Sequence, residues 1–290
     1  MLAWSDVSDP NSPQLDELAR RHNLHELQIE DCRHRPQRAK TEDFPDYVFS
    51  VLKHLHCTRE HEDLDLHFRD IDVFLGRDFV VTVHENEFDV MDRVRKRIEE
   101  SGQNRLDRVL YLLVDTIVDE YQPVLDTVAE ETSIIEAEVL EHPDPPVLRR
   151  IFNLKRKLIE FRRTASGMRE VVNAMMRRER GLLGDDLDPY FRDIYDHLVR
   201  TLDLIETYRD LLSGSLDIYL SAVANRTNEV VKVLTVYGTL ALPLVVITSF
   251  FGMNLKLPWA HSPLGALYAT GLMLVSSVAV LWYFRRKGWF

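Results

Sequence analysis

Two stretches of this chain carry no charged side chain and are long enough to cross a bilayer as helices. Val233 to Phe251 runs for 19 residues and Leu264 to Phe284 for 21. A hydrocarbon core about 30 Å thick takes roughly 20 apolar residues in a helix, so both segments fit. Backbone in lipid must bond within its own segment, which makes these spans helical. The 12-residue link, Gly252 to Pro263, is long enough to turn and too short for a domain. Arg226 and Lys232 precede the first span and Arg285, Arg286 and Lys287 follow the second, whereas the link holds only Lys256. Basic flanks stay on the cytoplasmic side, so both ends are expected there and the link outside. Trp259, Tyr268, Trp282, Tyr283 and Trp289 stand near the span ends, where interfacial aromatics belong.

The charge balance divides the chain the same way. Of 36 basic and 47 acidic residues, the first 225 positions hold 30 and 46, a net charge of -16, and the remainder is +5. An acidic polar part excludes a general nucleic-acid binder, which needs positive charge against phosphates. Cys32 and Cys57 are too few for a disulfide scaffold and should stay reduced in a cytoplasmic segment. Met1 to Pro10 has neither a basic start nor an apolar core, so no signal peptide is expected there.

Within the polar part, residues 14–29 read as a helix followed by a short second one. The period then changes. Tyr47 to His56, Asp65 to Phe68, Ile71 to Leu75 and Phe79 to His84 are short β-rich runs, the last two joined by a turn at Gly76-Arg77-Asp78. From Phe88 onward the pattern is helical. Helices are expected over about 105–140 and 147–181, broken by His142-Pro-Asp-Pro-Pro146 into an antiparallel hairpin. Its first arm ends in acids (Glu130, Glu131, Glu136, Glu138, Glu141) and its second is basic (Arg149, Arg150, Lys155, Arg156, Lys157, Arg162, Arg163), so the arms can pair.

Asp188-Pro189 has the form of an N-cap with proline at the first helical position. No firm stop follows until Phe251, although Pro243 can kink the helix. A single helix of that length would extend about 95 Å. Phe191, Ile194, Leu198, Leu202, Ile205, Leu212, Leu216 and Val223 form one apolar seam along it. Asp196, Asp203, Asp210 and Asp217 recur at strict heptad spacing, and the same phase continues as Ala224, Val231, Gly238, Val245 and Gly252. A helix drifts only about 20° per heptad, so this is one face, acidic at one end and small or apolar in the span. Two spans cannot enclose a pore; only a ring of several first spans can.

The first span ends in Phe251-Gly252-Met253-Asn254. This triplet, the short loop, the second span and the basic tail Arg285 to Phe290 resemble the CorA family of magnesium transporters. Asn225-Arg-Thr-Asn-Glu-Val-Val-Lys-Val-Leu-Thr235 resembles that family's entry to the first span, and Pro189-Tyr-Phe-Arg-Asp-Ile-Tyr-Asp-His197 the start of its stalk helix. The resemblance implies an α+β cytoplasmic domain, a long helical stalk and two C-terminal transmembrane helices in a funnel-shaped homopentamer. It implies a cytoplasmic α/β domain over 1–100, a helical hairpin and stalk over 101–228, and a pore domain over 229–290. Gly252, Met253 and Asn254 would form the outer mouth. Asp217, Asn228, Val231, Leu234, Gly238, Leu242 and Val245 would line the pore. Asp31, Glu30 and Asp193 would hold regulatory Mg2+ between neighbouring copies, and emptying that site would leave carboxylates repelling across the interface. Its partners would be further copies of itself, membrane lipid and divalent cations, in the cell (inner) membrane. The sheet is expected to be smaller than in relatives with extra N-terminal strands. Val231, Leu242 and Val245 depart from residues found in some relatives, and the outer loop has no acid.

Mg2+ is small and dehydrates reluctantly, so it is held through retained waters. An asparagine carbonyl accepts hydrogen bonds from those waters, and a neutral ring of Asn254 side chains lets the ion both enter and leave. The expected activity is Mg2+ flux, with Co2+ and Ni2+ as secondary ions, gated by cytoplasmic Mg2+. A zinc transporter on the same scaffold and a membrane-anchored sensor without transport are the alternatives. His54, His56, Cys57 and His61 lack the spacing of a tetrahedral zinc site. No nucleophile–base pair or phosphate loop marks an enzyme.

Overall fold

The computed structural model describes residues 3–60, 63–86, 89–102, 105–177, 182–253 and 264–289. In chain order the elements are β1 (Trp4–Val7), α1 (Pro13–Arg21), α2 (Glu26–Arg33), β2 (Lys40–Asp43), β3 (Tyr47–Glu60), β4 (Asp63–Gly76), β5 (Val80–His84), α3 (Asp89–Ser101), α4 (Leu106–Asp119), α5 (Tyr121–Glu141), α6 (Pro145–Arg177), α7 (Asp188–Phe251) and α8 (Gly265–Arg286). They form two compact units, Met1–Asp217 and Ile218–Phe290.

The first unit is built on a five-stranded mixed sheet of order β1-β5-β4-β3-β2. β1 runs parallel to β5, with Trp4 opposite Val80, and every other pairing is antiparallel. Pro13 opens α1 without losing a needed hydrogen bond, and Arg20 and Arg21 sit in its last turn, where cations suit the dipole. Leu15, Leu18, Ile29 and Cys32 of α1 and α2 join Phe49, Val51, Phe74, Val81 and Val83 of the sheet in one apolar core. A second set of helices, α4, α5 and α6, packs on β3 and β4. There the buried Tyr121 donates to the Lys53 carbonyl at 2.6 Å and meets Phe161 edge-on at 5.3 Å.

Buried charges in this unit are answered in place. Arg35 spans Asp72 at 2.7 Å and the carbonyls of Cys32 and Asp70, and Lys53 pairs with Asp70. Burial still raises the Asp72 carboxyl to about 6 against the pull of Arg35. His54 bonds to Glu120, which also holds Arg93. Burial lowers the His54 imidazole to about 4, and its Nε2 faces the Glu120 carboxylate that Arg93 also holds. Cys57 is a free thiol.

Several elements differ from the sequence reading. The runs 65–68 and 71–75 are one 14-residue strand, because Asp70, which interrupts the apolar pattern, is buried against Lys53. β1 and β2 are polar strands that the pattern missed. The helix expected over 105–140 breaks at Glu120, and Pro123 lies in the first turn of α5, where proline is tolerated. Pro145 and Pro146 begin α6 rather than only breaking the hairpin. Charge pairing between the arms is carried by Arg150, at 2.7 Å from Glu131 and 2.5 Å from Glu138. Other bases of α6 turn elsewhere: Lys157 reaches Asp65 and Arg162 reaches Glu206.

The second unit comprises α7 from Ile218 and α8. Thr235 and Thr248 return their hydroxyls to the carbonyls of Val231 and Leu244, so neither presents an unsatisfied group to an apolar medium. Pro243 lies inside the helix, which continues to Phe251.

Candidate ion path and cation-sensing residues

α7 presents different surfaces in the two units. In the first, Phe191, Ile194, Leu198, Ile205 and Leu212 of the expected seam are buried. Asp196, Asp203, Asp210 and Asp217 are all exposed on another face. The seam loses its cover at Val223, which is exposed.

In the second unit, Asn228, Val231, Leu234, Gly238, Leu242 and Val245 recur every three or four residues and so share a face. Leu234 is 70% exposed, Leu242 67% and Val231 53%. Among the described residues of this unit only Tyr219, Val236 and Phe284 are buried apolar side chains. A Cβ added at Gly238 would meet nothing within 4 Å. Gly252 closes the helix by donating to the Thr248 carbonyl at 2.9 Å, and a Cβ there would come within 3.1 Å of that oxygen. Met253 is exposed and donates to the Phe250 carbonyl. Asn254, with Lys256 and Trp259 of the link, lies outside the described residues, as does His61. Val231, Leu234, Gly238, Leu242 and Val245 carry no side-chain oxygen, and the hydroxyl of Thr235 beside them is turned to the Val231 carbonyl. The strip suits a hydrated ion or a constriction that closes by dewetting, not a dehydrated Mg2+.

Asp31, Glu30 and Asp193 all belong to the first unit. Asp31, on α2, is half-buried and accepts from Lys40 Nζ at 2.7 Å, and the same ammonium reaches Glu42 at 2.7 Å. Lys40 had no visible tie to Asp31 in the sequence, because the two meet only when β2 folds back beside α2. Asp31 thus has a cationic partner within its own copy. Glu30 is exposed, with His34 at 4.0 Å. Asp193, in the first turns of α7, is exposed with His197 at 3.8 Å, and His197 is 4.0 Å from Asp119. Sequence reasoning also missed Asp119. Its carboxyl is raised, first by burial and then by the charge of Asp115, with Asp193 adding to it. Among the described residues the single chain assembles no group of three or more His, Cys, Asp or Glu that would hold a metal. Asp31 and Asp193 thus form no closed site within one copy.

The sequence matches the family described as "CorA-like Mg2+ transporter protein" over residues 1–286. It is 38% identical over 271 residues to the cobalt/magnesium transport protein CorA of Thermotoga maritima, covering 92% of this chain and 77% of that one. The fold is shared with the complete CorA magnesium transporter structure from Methanocaldococcus jannaschii, at a TM-score of 0.85 and 23% identity, covering 99% of this chain and 91% of that one. The full-length CmaX structure also shares it, with a TM-score of 0.77, 20% identity, and coverage of 98% and 87%. A match along nearly the whole chain, joined to two candidate membrane helices, identifies the chain as a member of the CorA family of magnesium transporters.

Proposed function

We propose that the chain conducts divalent cations, chiefly Mg2+ with Co2+ and Ni2+ as secondary ions, as a homopentamer in the cell membrane. The first span of each copy lines the path, the second rings it, and both termini are cytoplasmic. The observation that supports this most is the open strip of α7 from Val231 to Val245, which the chain's own α8 leaves uncovered. Five such strips enclose a lumen that one copy cannot. Asn254 rings the outer mouth and accepts hydrogen bonds from the waters of the ion. Leu234 and Leu242 form the constriction, and the Asp217 ring concentrates cations at the cytoplasmic end by its charge.

Cytoplasmic Mg2+ closes the channel by bridging Asp31, with Glu30 beside it, to Asp193 of the next copy. Such a ligand shifts the population only by its differential affinity for the closed ring. Lys40 is displaced from Asp31 as the ion arrives. The test is flux into liposomes holding a Mg2+-sensitive dye, with Zn2+ as a comparison ion. Mg2+ entry through the parent, lost in Asn254→Ala with the pentamer intact by light scattering, is expected. No Mg2+ entry through the parent would leave a non-transporting sensor, entry of Zn2+ alone would leave a zinc transporter, and normal flux in the variant would remove Asn254 from the path.

A further inference from the structure

The first 225 residues carry a net charge of -16, yet the first unit contains a groove lined by arginines. It has a volume of about 1090 Å³ and lies between the connector before β2, the middle of α6 and β4. Arg38, Arg69, Arg162, Arg163 and Arg209 border it, against two lining acids, Glu160 and Glu170. Arg162 and Arg209 share the single carboxylate of Glu206, at 3.2 and 2.8 Å. Among the described residues Arg38 and Arg163 have no ion-pair partner, and both are exposed. Lys53, on the same wall, is spent on Asp70.

The rest of the lining is suited to a small ligand. Thr164 and Ser166 bring hydroxyls from α6. Phe68, held against Phe161 at 6.4 Å between centroids, and Ile159, 56% exposed, add apolar surface to the same lining. The wall is firmly closed at one point, where a Cβ on Gly167 would stand 3.1 Å from that of Ala39. Guanidinium forks bordering one groove favour planar or tetrahedral oxyanions, and several in one groove favour an ion with several phosphates.

We propose that this groove binds an oligophosphate of the nucleoside triphosphate class, its phosphates on Arg38, Arg163 and their neighbours and its base against Ile159 and Phe68. The metal-free form binds better than the magnesium complex, because the bound cation cancels two of the charges that the arginines attract. The groove thereby reads how much of the nucleotide pool lacks magnesium, a quantity that rises as Mg2+ becomes scarce.

The experiment is calorimetric titration of the full-length protein in detergent at physiological salt, with ATP, inorganic triphosphate and AMP in chelator-treated buffer. Saturable binding of ATP is expected, with Kd below about 1 mM, tightest for ATP and weakest for AMP. Arg38→Ala combined with Arg163→Ala weakens ATP binding about tenfold or more, from the loss of two charge-assisted contacts. The control pair Arg149→Ala with Arg156→Ala, on the same helix but away from the groove, leaves it unchanged. Excess Mg2+ weakens binding of the nucleotide. No saturable binding, AMP binding as tight as ATP, equal losses in the two paired variants, or a magnesium complex that binds as well as free ATP would each overturn the proposal. None of these readouts depends on ion transport.

Discussion

The two units of the chain solve the problem of apolar surface in opposite ways. In the first, Tyr121, Phe161, Phe49 and Phe74 are fully buried by elements of the same chain, and buried charges such as Asp72 have partners from the same chain. In the second, the apolar windows of α7 and α8 are only 6% buried. A water-soluble protein does not expose such continuous apolar surface. The first unit buries its apolar core within one copy, whereas the second leaves its apolar surface uncovered, as the proposed membrane-embedded assembly requires. Stability in the first should therefore be independent of assembly, and function in the second should depend on it.

The largest effect that would sharpen this contrast is expected at Gly238. A leucine there meets nothing in its own chain, so a single copy tolerates it. In the proposed pentamer the same side chain enters the lumen, and Gly238→Leu should abolish flux. Retained flux would erase the distinction. Next comes Phe161→Ala, in the first unit. It should cost about 3–5 kcal/mol in denaturant unfolding, with no dependence on protein concentration. A concentration-dependent loss would show that the first unit, too, relies on its neighbours.

A smaller effect concerns His54, whose burial lowers its imidazole from 6.5 to about 4. Below neutrality the unfolded chain takes up a proton that the folded chain refuses. Stability should fall as pH drops from about 6.5 to about 4, by roughly 3 kcal/mol at most. His54→Gln should flatten that stretch of the stability–pH curve; an unchanged slope would place the titrating group elsewhere. The smallest effect is expected from Asp31→Ala with Asp193→Ala. Lys40 keeps Glu42 as a partner, so the fold should hold. The internal Mg2+ needed to halve flux should rise about fivefold. An unaltered Mg2+ dependence would remove these carboxylates from sensing.

What the sequence revealed followed from where the chemistry is local. The spans were legible because a bilayer tolerates no charge across some twenty residues, and the α7 seam because apolar spacing in a helix is fixed at three and four. β1 and β2 were not. Trp4-Ser-Asp-Val7 and Lys40-Thr-Glu-Asp43 are polar, half-buried strands whose pairing is decided by β5 and β3. The break at Glu120 lacks glycine, and its one local signal was Pro123 in the following turn. At the candidate site, Asp31 was legible as a carboxylate, but its contact with Lys40 depends on the chain returning along β2. The end of α7 at Phe251 was legible because the uncharged run stops there.

The pairing of β1 with β5 also orders events in time. The β3–β4 hairpin joins neighbours in the chain and needs only a short closure, whereas Trp4 must find Val80 across more than seventy intervening residues. Closing so long a loop waits until its partner edge exists, which makes the parallel seam a late step in completing the sheet. During synthesis all five strands leave the ribosome before either span does. The sheet can thus be finished while the apolar segments are still being made, so a water-soluble nucleus precedes the part of the chain most prone to clump in its absence.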